Sequence, residues 1–132
     1  MKQNIFMVDD DLEDILFVKT AFIDINMDVK FDYLVNSENV AGYLASKGKK
    51  PDLILLDLNM PVKDGKTILL ELKANPKLQT IPVVIFTTSH SEEERQEYLR
   101  LHAAAYVTKP DAYKDWAPVL KSICKIYLQN CA

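Results

Sequence analysis

The chain has 132 residues, enough for one domain that buries roughly two-thirds of its unfolded surface. With 48% hydrophobic and 27% charged residues it has the composition of an ordinary globular protein, and no apolar stretch approaches the ~20 residues of a membrane span. The net charge of −3, with lysines scattered rather than gathered into a stripe, argues against a nucleic-acid surface.

Strand-like and helix-like segments alternate along the chain. Ile5-Phe6-Met7-Val8 is an apolar run that leads straight into Asp9-Asp10-Asp11, and no signal-peptide pattern precedes it. Leu12, Ile15, Leu16, Val18, Phe22 and Ile23 then fall at helical spacing, ending near Asn26. Val29 to Val35 is the next strand candidate. Ser37 is placed to cap a helix through Val40, Tyr43 and Leu44, closed by Gly48. Asp52 to Asp57 is a third strand. A turn-rich loop, Asn59-Met60-Pro61 to Asp64-Gly65, leads to a helix with Ile68, Leu69 and Leu72 that stops before Pro76.

Ile81 to Phe86 is a fourth strand ending at Thr87-Thr88-Ser89. Ser91-Glu92-Glu93-Glu94 reads as a capping box opening a helix with Tyr98, Leu99 and Leu101. Ala104 to Thr108 is a fifth strand, ending at Lys109-Pro110. A last helix is expected from about Asp115 to Gln129, with Pro118 in its first turn. Two cysteines, Cys124 and Cys131, lie too close to the C-terminus to frame the domain and are expected to be reduced thiols in a cytoplasmic protein. With no repeat or linker, residues 1–132 are expected to form a single domain. Five βα units in succession imply an α/β fold with a doubly wound parallel sheet.

Runs of β-branched and aliphatic residues without polar alternation suit strands buried on both faces. In such a sheet, ligands bind beyond the carboxyl ends of the strands. Neighbouring strands would therefore bring Asp9, Asp10, Asp57, Thr87 and Lys109 into one crevice. Clustered carboxylates favour a hard divalent cation such as Mg²⁺. A phosphoryl group on Asp57 would be neutralised by that cation, a hydroxyl and an ammonium, and lysine supplies a point charge suited to phosphate. Taken singly, each has a plainer reading: Asp9 or Asp10 as a helix cap, Asp57 and Thr87 as strand ends, Lys109 as a solvated lysine. Their conjunction at strand ends carries the inference.

The Asp9-Asp10 pair, Asp57-Leu58-Asn59-Met60-Pro61 with Asp64-Gly65, Thr87 after Pro82-Val83-Val84-Ile85-Phe86, and Tyr106-Val107-Thr108-Lys109-Pro110 together resemble the CheY-like response-regulator receiver domain. The resemblance runs from about Ile5 to Leu128 and is strongest to small stand-alone receivers, including those that partner bacterial phytochromes. It implies a flavodoxin-like strand order 2-1-3-4-5 with five helices. It implies that Asp57 accepts a phosphoryl group from a histidine kinase or histidine phosphotransfer protein, with Mg²⁺ held by Asp10, Asp57, the Asn59 backbone carbonyl and, through water, Asp9. Lys109 would pair with the phosphoryl group ahead of a cis Lys109-Pro110 bond, and Thr87 and Tyr106 would form a switch pair. The implied activity is signalling, limited to self-phosphorylation and self-dephosphorylation.

Two positions depart from the family pattern. His102 stands where glycine is usual before the fifth strand, so that turn is expected to differ, and Thr88 adds bulk beside Asp57. Asp11 is expected to stabilise the first helix rather than bind metal. A haloacid-dehalogenase-type phosphotransferase is disfavoured, since Asp57-Leu58-Asn59 lacks a second aspartate and no cap segment is present. A constitutive scaffold is disfavoured by the intact acid pair, Thr87 and Lys109. The output is expected through a downstream protein target, with no nucleic acid or membrane involved. The expected surface is the face of helix 4, strand 5 and helix 5, with Trp116, Ile123 and Tyr127, which is also a possible homodimer contact. For Ile123 and Tyr127, plain packing is the favoured reading.

Overall fold

The computed structural model describes residues 3–48 and 50–128. Five parallel strands form one sheet: β1 (Gln3–Val8), β2 (Val29–Leu34), β3 (Leu53–Leu56), β4 (Val83–Thr87) and β5 (Ala105–Thr108), in the order β2-β1-β3-β4-β5. The helices are α1 (Leu12–Asp24), α2 (Val40–Ser46), α3 (Gly65–Ala74), α4 (Glu92–Arg100) and α5 (Trp116–Tyr127), with a 3-10 turn at Tyr113–Asp115.

The apolar runs are explained by two cores, one on each face of the sheet. Phe6, Val8, Ile54, Leu56, Val83 and Ile85 point toward Val40, Leu44, Ile68, Leu69, Leu72 and Tyr98, beneath α2, α3 and α4. The alternate residues Ile5, Met7, Leu53, Leu55, Val84 and Phe86 point toward Ile15, Val18, Phe22, Trp116, Leu120 and Ile123, beneath α1 and α5. Successive strand residues face opposite ways, so both periods of the central strands must be apolar. The edge strand β2 is less buried, with Lys30 and Tyr33 exposed.

Most expected elements are in place, and the differences have local causes. Ser37 does not cap α2; it is buried, and its Oγ accepts the Lys63 N–H at 2.9 Å, tying down the loop after β3. The helix starts later, behind Asn39, and Lys47 rather than Gly48 closes it. The capping box on α4 is half formed: Ser91 Oγ accepts the Glu94 N–H at 3.1 Å, whereas the Glu94 carboxylate is taken by the Tyr106 hydroxyl. Asp11 is the N-cap of α1, accepting from the N–H groups of Glu13 and Asp14. His102 keeps the turn that glycine would make, with φ of 73°. The expected C-terminal limit at Gln129, and Cys131, lie outside the described residues, while Cys124 is buried. No described helix is long and apolar enough to cross a membrane.

Candidate phosphoacceptor and metal site

The carboxyl edge of the sheet is fastened strand to strand by backbone hydrogen bonds. Asp9 N–H donates to Leu34 O at 3.2 Å, Asp57 N–H to Val8 O at 2.9 Å, and Lys109 N–H to Thr87 O at 2.6 Å. Each polar residue thus starts where its strand's ladder ends, and the sheet aligns them. Asp9, Thr87, Lys109 and Asp57 are all buried, while Asp10 stands exposed above them.

Asp9, Asp10 and Asp57 each offer a carboxylate oxygen within 4.8 Å of the others, a donor set that fits a hard divalent cation. Asp9 is oriented by the Asp11 N–H, which donates to its Oδ1 at 2.9 Å. Its Oδ2 accepts from Lys109 Nζ at 2.7 Å. Burial pushes the Asp9 carboxyl up to about 6 against the opposing pull of Lys109. Burial also raises Asp57, opposed by Lys109 and reinforced by the charges of Asp10 and Asp14. Both shifts come first from burial, which disfavours the charged carboxylates, and a bound cation would favour them.

Lys109 Nζ lies 2.7 Å from Asp9, 2.7 Å from Asp14 and 3.8 Å from Asp57. Burial works to lower its pKa, but the bonds to Asp14 and Asp9 overcome this and leave it raised. Asp14 is the site residue that sequence reasoning missed. No local signal marks it, since the contact with Lys109 spans 95 positions.

Gly65 sets the distance between α3 and the acceptor strand. Its N–H donates to Leu58 O at 3.0 Å, and a Cβ there would lie 2.6 Å from Leu58 Cδ2, 2.9 Å from Leu58 Cα and 3.1 Å from Asp57 O. The Asn59 side chain is exposed in the intervening loop. Thr87 Oγ1 accepts from the Ser89 N–H at 3.4 Å. In register, Ile85 pairs with Tyr106 and Thr87 with Thr108, so Thr87 and Tyr106 share a face of the sheet one diagonal apart. Tyr106 is partly exposed, with its hydroxyl on Glu94 and its ring 6.3 Å from that of Tyr98.

Two expectations are corrected. No described peptide bond is cis, so Lys109-Pro110 is trans, the form favoured for such bonds by about 0.5–1 kcal/mol. Trp116 does not belong to an outer face, while Ile123 packs as favoured. Thr88 is exposed and lines a cleft of about 450 Å³ with Asp14, Phe17, Lys109 and Trp116, at the rim of the site. Trp116 packs edge-on against Phe17 and Phe86 and donates its Nε1–H to Pro110 O at 2.9 Å, and Ile123 is buried too; the exposed apolar residue of α5 is Ile126.

Residues 5–116 match the family described as the response regulator receiver domain. The chain belongs to that family. Among its relatives, the response regulator Rcp1 of Synechocystis is 35% identical over 131 residues, covering 96% of this chain and 89% of Rcp1. A probable methanogenesis regulatory protein, FilR2, of Methanothrix harundinacea is 27% identical over 94% of this chain and 83% of that protein. Among solved structures, the phosphorylated cyanobacterial phytochrome response regulator RcpA superposes with a TM-score of 0.89 at 31% identity, covering 100% of this chain and 98% of that one. The Mn²⁺-bound form of Rcp1 gives 0.84 at 33% identity, covering 98% and 97%. The receiver fold with strand order 2-1-3-4-5 is therefore that of a two-component response regulator, and the expected topology holds strand for strand.

Proposed function

We propose that Asp57 is the phosphoacceptor of this receiver, taking a phosphoryl group from a histidine kinase or histidine phosphotransfer protein in a Mg²⁺-dependent step. The observation that carries this reading is the buried Asp57 carboxylate, with Asp9 and Asp10 oxygens within 4.8 Å and Lys109 Nζ 3.8 Å away. Likeness to the cyanobacterial phytochrome response regulator RcpA supports a phytochrome-type kinase as donor.

An Asp57 oxygen attacks phosphorus, the new O–P bond forming as the bond to the donor's imidazole nitrogen breaks, with the electron pair leaving on that nitrogen. Asp10, Asp57 and the Asn59 carbonyl would hold Mg²⁺ directly, and Asp9 through water. When bound, the cation supplies positive charge to the phosphoryl oxygens. Lys109 adds the second positive charge. Thr87, at the end of β4, has a hydroxyl free to turn to a phosphoryl oxygen in exchange for its long bond from Ser89. Tyr106, held outward by Glu94, is placed to follow it inward, which supplies an interaction that exists in one state only. The response then leaves through α4, β5 and α5, toward a downstream protein or a second copy of the chain. The protein's own chemistry is limited to gaining and losing its phosphoryl group.

Incubation with Mg²⁺ and a small phosphodonor such as acetyl phosphate should give one acid-labile modification, mapping to Asp57. In Asp57→Asn the label should vanish while the circular dichroism and melting behaviour remain native, because the amide is nearly isosteric but not nucleophilic. Full labelling of that variant would place the acceptor elsewhere.

A further inference from the structure

Lys109 has three N–H donors and a fixed base: its backbone is bonded to Thr87, and its ammonium lies 5.9 Å from the Phe86 ring centroid. Two donors are used, on Asp9 Oδ2 and Asp14 Oδ2, each at 2.7 Å, while the nearest Asp57 oxygen at 3.8 Å is beyond hydrogen-bond range. Asp9 belongs to the cation-binding group; Asp14 does not. Asp14 is itself held rigidly, in the first turn of α1, with its N–H on the Asp11 cap and the buried Ile15 next in sequence.

Building on the reading of Asp57 as acceptor, we infer that Asp14 is a positioning residue that holds the Lys109 ammonium toward α1, so that movement of Lys109 onto a phosphoryl group on Asp57 competes with its bond to Asp14. A cation taken up by Asp9, Asp10 and Asp57 draws on the charge of Asp9 and weakens its hold on Lys109, leaving Asp14 as the remaining restraint. The two carboxylates differ in what release costs. The Asp9 side chain is 0% exposed and cannot be left unpaired, whereas Asp14 is 18% exposed and can be solvated once the lysine leaves. The contact with Asp14 is thus the one that can be exchanged for a phosphoryl oxygen.

The test is beryllofluoride binding to the full chain at saturating Mg²⁺, followed by NMR. Asp14→Asn and Asp14→Ala should bind the mimic about threefold to tenfold more tightly than wild type, the range of a partly exposed charged hydrogen bond. Asp14→Glu should return toward wild type. On a Lys109→Gln background the gain from Asp14→Asn should disappear. An equal gain on that background overturns the inference, since loss of one negative charge would then explain it without the lysine. In metal-free protein, the Lys109 ammonium protons should exchange slowly in wild type and rapidly in Asp14→Ala; equal protection overturns the inference, leaving Asp9 alone as the holder. A wild type that takes up no beryllofluoride overturns the acceptor reading itself, and this inference with it.

Discussion

Helices α3 and α4 follow the two strands that deliver Asp57 and Thr87, yet they are attached to the sheet very differently. α3 buries Gly65, Ile68, Leu69 and Leu72, and its first N–H is bonded to the backbone beside Asp57. α4 buries only Tyr98 and opens with Glu92, Glu93 and Glu94 facing water or Tyr106. The exposed Lys66–Glu97 pair at 2.8 Å links the two helices but contributes little. Local opening is easiest where few apolar groups are buried. Asp57 is therefore built on a well-buried support, whereas Thr87 precedes a helix with few buried apolar groups.

Leu72→Ala tests the well-buried side most severely. Leu72 is fully buried, and its truncation should cost about 2–5 kcal/mol in chemical denaturation. Hydrogen exchange should meanwhile find the α4 amides opening at lower free energy than those of α3 in wild type. Equal protection of the two helices would break the contrast. Gly65→Ala comes next: the added Cβ meets Leu58 Cα at 2.9 Å, so α3 or the Asp57 segment must shift. The expected cost is about 1–3 kcal/mol together with slower phosphorylation of Asp57. Native stability with unchanged labelling would show that the spacing is not set by this glycine.

Much of this arrangement is legible in the chain, for a physical reason. Strands buried on both faces announce themselves as unbroken apolar runs, and polar residues at their ends must converge once the runs pair in parallel. Asp9, Asp57, Thr87 and Lys109 were placed by that logic alone, and the structure buries all four. Asp14 was not legible, because α1 carries many charges and nothing local distinguishes the one that meets an ammonium 95 residues away. Ser37 misled because a hydroxyl before an apolar helix looks like a cap, and only the fold reveals that the Lys63 N–H claims it. Glu94 was assigned to its own helix end, whereas Tyr106 reaches it from β5.

Acidity probes the same side of the comparison. With its carboxyl raised to about 6 from a usual value near 3.8, Asp9 binds its proton more tightly in the folded than in the unfolded protein. Asp57 is shifted in the same direction. Between these values the folded state carries more protons, so metal-free stability should fall as pH rises from about 4 to about 6, then level off, by on the order of 3 kcal/mol from Asp9. Asp9→Asn should remove that fall. Mg²⁺ should stabilise the wild type increasingly toward and above pH 6, where the carboxylates are ionised. A metal-free stability curve of identical slope in wild type and Asp9→Asn would contradict the assignment.

The smallest expected effect lies at the end of α4. Leu101 caps the helix, His102 N–H donates to Leu99 O at 3.1 Å and Ala103 N–H to Tyr98 O at 3.1 Å, a Schellman ending with His102 in the left-handed region at φ 73°. α1 ends the same way, with Asn26 at φ 54°, Asn26 N–H on Ile23 O and Met27 N–H on Phe22 O. In both the Cβ crowds the carbonyl, and asparagine tolerates this better because its short polar side chain can hydrogen-bond locally. His102→Gly should therefore stabilise the protein by about 0.5–1 kcal/mol, the gain being reduced by glycine's greater freedom in the unfolded chain. Asn26→Gly should give a smaller change. The gain should appear as slower exchange of the last α4 amides, with those near Ser91 unaffected, because the cap secures the helix end without adding an apolar contact to the sheet. If His102→Gly instead slowed exchange along all of α4, the cap and not the sparse burial would be what leaves this helix loosely held.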